Sequence, residues 1–64
     1  MDLKQFYNKE VVIVSVNGQV FEGKVNDYIY SDENNLGKES VILDAKNGDI
    51  IEFTEEDIAS IEIV

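Results

Sequence analysis

Two apolar, β-rich runs meet at Asn17-Gly18, and this pair constrains the chain more than any other feature. Val11-Val12-Ile13-Val14-Ser15-Val16 leads in, and Val20-Phe21-Glu22-Gly23-Lys24-Val25 leads out. Asn-Gly between such runs is the strongest short-range hairpin signal, because both residues tolerate positive φ. Residues 9–30 therefore read as an antiparallel ribbon. Strand one lies near residues 10–16, and strand two runs from Gln19 towards Tyr30. Gly23 in mid-strand marks a sharp bend or a close backbone approach. Phe21, Gly23, Val25 and Ile29 stand at even spacing and share one face, with Val20, Tyr28 and Tyr30 opposite. Strand one is apolar on both faces apart from Ser15, whereas a strand buried on one side alternates. Its second face is expected to lie under the N-terminal helix or another subunit.

A second Asn-Gly pair allows a register to be argued. Strand three (residues 39–45) and strand four (residues 50–53) join through Lys46-Asn47-Gly48. A two-residue turn would pair Leu43 with Glu52 and Asp44 with Ile51, mixing polar and apolar residues on both faces. A three-residue turn with Gly48 in the left-handed region pairs Leu43 with Ile51 and Val41 with Phe53. A one-residue slip swaps the faces of a strand, so the cleaner pattern and its bulged turn are predicted. Thr54-Glu55-Glu56-Asp57 reads as one helical turn, capped by Thr54 with Asp57 reaching back. The last strand runs from Ile58 or Ser60 to Val64, with Ile61 and Ile63 facing one way and Glu62 the other. At the start, Leu3, Phe6 and Tyr7 recur at i, i+3, i+4 behind Asp2, a potential N-cap. That is one or two turns of helix, too short to stand alone and so packed over one end of the sheet. The predicted architecture is mostly β: one domain over residues 1–64, a short N-terminal helix, then a five-stranded, strongly bent antiparallel barrel.

Composition narrows the function. A chain of 64 residues buries a marginal core, which supplies roughly 3–5 kcal/mol unless something such as self-association adds to it. Cys and His are absent, so disulfides and the usual zinc and redox ligand sets are excluded. Fourteen acidic residues face five lysines, a net charge of −9, and no cation follows Lys46. Asp49, Glu52, Glu55, Glu56, Asp57 and Glu62 all lie in that last segment. Nucleic-acid affinity rests on cations that neutralise phosphates, so nucleic acid is disfavoured. An anionic membrane surface is disfavoured for the same reason, whereas a basic protein partner fits. No apolar stretch approaches the ~20 residues that span a bilayer. Met1-Asp2-Leu3-Lys4 lacks the basic region and apolar core of a leader, so a cytoplasmic location is expected.

No catalytic, cofactor-binding or metal-binding residue is assigned. Arg is absent as well as His and Cys, and no pair of carboxylates is placed in a cleft by its spacing. Residues 31–38 form the one loop of any length. Asp32, Asn34 and Gly37 there have the flavour of a calcium loop, but position twelve from Asp32 is Leu43 rather than Glu. The chain is read as a non-enzyme. Tyr7, Tyr28 and Tyr30 are interface candidates, since Tyr buries area and keeps a hydroxyl for hydrogen bonding. Partial burial under the helix is the structural alternative.

The run Asn17-Gly18-Gln19-Val20-Phe21-Glu22-Gly23-Lys24-Val25 places an aromatic three residues after the turn glycine, a glycine five after it and an apolar residue seven after it. With the short helix and five strands, it resembles the first motif of the Sm-like family of small SH3-like β-barrels. The chain looks especially like small Sm-like proteins of Gram-positive bacteria and their phages. The resemblance implies rings formed by pairing the last two strands across subunits, and binding of uridine-rich RNA. The RNA-binding residues do not carry over. The place of the family's loop Asp is taken by Ile29, with Asp32, Asn34 and Asn35 nearby but off register. The place of a cation with glycine between the last strands is held by Thr54-Glu55-Glu56-Asp57. The resulting expectation is an acidic interaction or self-assembling module, with a homo-oligomer formed through the C-terminal edge strand. RNA binding and an acidic decoy for a basic, nucleic-acid-binding protein are the alternatives.

Overall fold

The computed structural model describes residues 1–32 and 37–64. Five strands form one antiparallel sheet: β1 (Glu10–Ser15), β2 (Val20–Ile29), β3 (Ser40–Ala45), β4 (Ile50–Thr54) and β5 (Ile58–Ile63). Their order across the sheet is β4-β3-β2-β1-β5, so β4 and β5 are the outer strands. The N-terminal helix is a single 3-10 turn over Leu3–Phe6. Asp2 caps it by accepting from the Lys4 N–H at 3.1 Å. In a 3-10 turn side chains at i and i+3 eclipse, so Leu3 and Phe6 are both buried while Tyr7, expected in the same stripe, is 52% exposed.

Both hairpin loops have three residues. Gly48 takes φ +96 and Gly18 φ +88. Their N–H groups each donate, at 2.9 Å, to the carbonyl three residues back, on Ala45 and Ser15. The register at the second loop is the one the hydrophobic pattern demands, with Leu43 opposite Ile51 and Val41 opposite Phe53. At the first loop the expected role of Asn17 is corrected. Asn17 is not among the positive-φ residues. Its Oδ1 accepts from the Gln19 N–H at 3.2 Å, just as Asn47 Oδ1 accepts from the Asp49 N–H at 2.9 Å. Asparagine is favoured here for a side chain that mimics a turn carbonyl, and glycine alone supplies the left-handed residue.

A second correction concerns β2. Its pairing with β3 shifts between Val25 and Asp27, which leaves Asn26 as an extra, bulged residue. An inserted residue inverts the facing of everything beyond it. Tyr28, expected opposite Phe21 and Val25, therefore sits across from Val41 and packs on the core. Ile29 takes the other parity and pairs with Ser40.

The core gathers Leu3, Val11, Ile13, Val25, Val41 and Leu43, all at 0% exposure, with Phe53 and Ile58 beside them. The sheet is strongly curled around it. Phe21 lies seven positions along β2 from Tyr28, whose neighbour across β3 is Phe53. In a flat sheet that offset alone is roughly 23 Å, yet the Phe21 and Phe53 rings meet edge to face at 5.4 Å. Leu3 and Phe6 join the same core as Val11 and Ile13. The 3-10 turn thus covers the inner face of β1 rather than the face of Val12 and Val14, which are half-buried. No helix among the described residues is long and apolar enough to cross a membrane.

Candidate functional site

The tyrosines are brought together at one end of the sheet. β2 carries Tyr28 to its next-to-last position, and Tyr30 follows just past the end of the strand. Their rings meet edge to face, 5.1 Å between centroids and 86° between planes. The residues after the 3-10 turn bring Tyr7 to the same place. With Lys4 and Asp27 the three rings line an open depression of about 400 Å³. The Lys4 ammonium stands 5.3 Å from the centre of the Tyr30 ring, within the ~6 Å over which a ring face attracts a cation.

Glu39 anchors this corner from behind. Its Oε2 accepts from the Tyr28 hydroxyl at 2.6 Å, and its Oε1 accepts from the Leu3 N–H at 2.8 Å. One half-buried carboxylate thus ties the helix, β2 and the entry to β3. The hydrogen bond to Glu39, followed by desolvation, raises the Tyr28 hydroxyl from 10.0 to about 12. The same bond, with the Leu3 N–H, holds Glu39 below its usual 4.5. Asp27 Oδ1 accepts from the Tyr28 N–H at 2.9 Å. Nothing in the sequence near Glu39 announces this role, because its partners lie 36 and 11 residues away.

The acids of the last segment are divided among several tasks. Asp57 Oδ2 accepts from the Thr54 N–H at 2.9 Å and from its hydroxyl at 3.0 Å, the reach-back read from the sequence. Glu55 pairs with the Met1 amino group at 2.9 Å, and Glu56 with Lys38 at 2.6 Å. Glu52 and Glu62 sit on opposite outer strands. Glu39, Glu55 and Glu56 border a second depression with Ser31, Gly37 and Lys38, adjoining the tyrosine corner through Glu39. Among the described residues no group of three or more His, Cys, Asp or Glu side chains could hold a metal ion. Of the loop positions weighed for calcium or RNA, Asn34 and Asn35 lie outside the described residues. Ile29, the position that the Sm-like resemblance sets against a loop Asp, pairs within the sheet with Ser40.

Comparison of the chain with protein-family models, curated proteins and solved structures gave no match. Fold and surface define the class: a small β-rich domain with two open sheet edges and an aromatic corner.

Proposed function

We propose that the chain is a non-enzymatic, acidic Sm-like barrel domain that acts by self-assembly, β4 of one copy pairing with β5 of the next. The observation that carries this is the strand order, which among the described residues leaves β4 and β5 unpaired on their outer sides. An open edge offers a row of free N–H and C=O groups to any incoming strand. Both edges also expose an apolar side chain, Ile50 at 75% and Ile63 at 53%. The barrel reading draws on the curl measured by the Phe21–Phe53 contact and on the motif glycines. Gly18 takes the left-handed turn position, and Gly23 lies where a Cβ would stand 2.2 Å from the Asp44 carbonyl oxygen. Association would also supplement a core that is marginal at this length.

Light scattering across a range of concentrations tests the reading. The expected result is a mass several times the 7.2 kDa chain, reduced towards one chain by Ile50→Lys with Ile63→Lys. Lysines on an edge strand oppose pairing without touching the core. A single-chain mass at all concentrations would end the self-assembly reading.

A further inference from the structure

We infer that the tyrosine corner is a binding site for an arginine side chain on a basic segment of a partner protein, and that Lys4 is its resident internal occupant. The geometry comes first. Tyr28 and Tyr30 stand at 86° to each other, so their surfaces form two walls of a corner, with Tyr7 and Asp27 completing the lining. Tyr7 and Tyr30 are about half exposed, at 52% and 47%, so the corner opens to solvent. Ring faces carry negative potential, and a planar guanidinium can stack on one while its N–H groups reach a carboxylate. Asp27 supplies that carboxylate at the wall. Donation by the Tyr28 hydroxyl to Glu39 leaves more electron density on the ring, strengthening its attraction for a cation.

Lys4 shows the site accepting this chemistry, since its ammonium already stands over Tyr30. Among the described residues no carboxylate is paired with Lys4, so this ring contact is what holds it there. Such a contact is weak at an exposed position, and an incoming guanidinium can displace it. Charge selects the occupant. A chain at −9 draws in a basic segment, and the depression beyond Glu39 adds Glu55 and Glu56, exposed carboxylates now paired with the Met1 amino group and Lys38, which the cations of that segment would displace. A nucleic-acid strand could also stack on tyrosines, but it would meet Asp27 at the wall and the carboxylates beyond.

This inference rests on the interaction-module reading but not on self-assembly. The chain has three tyrosines and no tryptophan, and all three line the corner, so intrinsic tyrosine emission reports the site. The experiment titrates the protein with an Arg-Gly-Arg-Gly-Arg peptide, with its citrulline analogue and with oligouridine, recording the mass by light scattering alongside. A saturable change with the arginine peptide alone is expected. Tyr30→Leu, which keeps the charge, should weaken it about three- to tenfold. Lys4→Gln should tighten it, because the competing cation is gone. The sign of the Lys4 effect is decisive, since a phosphate polymer would lose affinity in that variant. The inference is overturned by an unsaturable response, by equal affinity of Tyr30→Leu and wild type, by weaker peptide binding in Lys4→Gln, or by oligouridine binding in place of the peptide. Peptide binding by a single-chain species retires self-assembly and keeps the corner; assembly without peptide binding does the reverse.

Discussion

Glu39 and Tyr28 form one hydrogen bond with consequences at both ends of the pH scale. The carboxylate is held below 4.5 in the fold, so its contribution is complete above that value and is lost as pH falls through the lowered folded value. The phenol is raised from 10.0 to about 12, so its contribution is complete below pH 10 and is lost as pH rises through about 12. Between those limits the tie among the helix, β2 and the entry to β3 is intact. Spectroscopic titration of tyrosinate should therefore show one tyrosine's share of the absorbance change delayed to about pH 12. In Glu39→Gln that share should move back towards 10, because a neutral amide no longer penalises the phenolate. An unchanged titration in the variant would mean that Glu39 does not control Tyr28. None of this could be read from the sequence, because the bond joins a strand residue to one across the loop, and its second oxygen serves a helix at the other end of the chain.

At the level of elements, periodicity carried the second hairpin completely and β2 only in part. Val41, Leu43, Ile51 and Phe53 fit a single register, so hydrophobic pattern and turn chemistry agree there. β2 defeats the same logic at Asn26, because a bulge adds a residue without leaving a compositional mark. Tyr28 is thereby turned from the expected outer face towards the core side, where its ring meets that of Tyr30. The mid-strand glycine was legible, and its reason is measurable. An added Cβ at Gly23 would lie 2.2 Å from the Asp44 oxygen and 2.7 Å from the Ala45 Cα, both backbone atoms that move only if β2 and β3 part. Gly23→Ala should thus cost about 3 kcal/mol or more, at the upper end of overpacking. Against a core worth roughly 3–5 kcal/mol, most of the stability would go. Gly18→Ala meets open space and should lose only the left-handed preference, about 1–2 kcal/mol. Urea unfolding of the two variants makes the comparison, and equal midpoints would remove Gly23 as the pivot of the curl.

For the whole molecule, charge and size act together. The chain carries −9 in a body of 29 × 23 × 20 Å, while the Debye length is about 10 Å at 0.1 M salt and about 3 Å at 1 M. In dilute buffer, carboxylates repel one another across much of the protein; in 1 M salt they act only on near neighbours. Salt also weakens the attractive pairs, here Met1 with Glu55, Lys38 with Glu56 and Lys46 with Glu22. These are exposed and worth about 0–1 kcal/mol each, and with fourteen acids against five lysines the repulsive sum outweighs them. The melting temperature should therefore rise with NaCl. A relief of about 1 kcal/mol corresponds to roughly 4–8 °C in a domain of this length. Assembly would add a second signature, because pairing two such anions also becomes easier as salt increases, and a species stabilised by association melts higher at higher protein concentration. Melting followed by circular dichroism over a grid of salt and protein concentration separates the two. A rise with salt alone belongs to self-repulsion within one chain, and a rise along both axes belongs to an assembling domain. A melting temperature that falls with NaCl would mean that ion pairs such as these, rather than the surplus of acid, govern the stability of the fold.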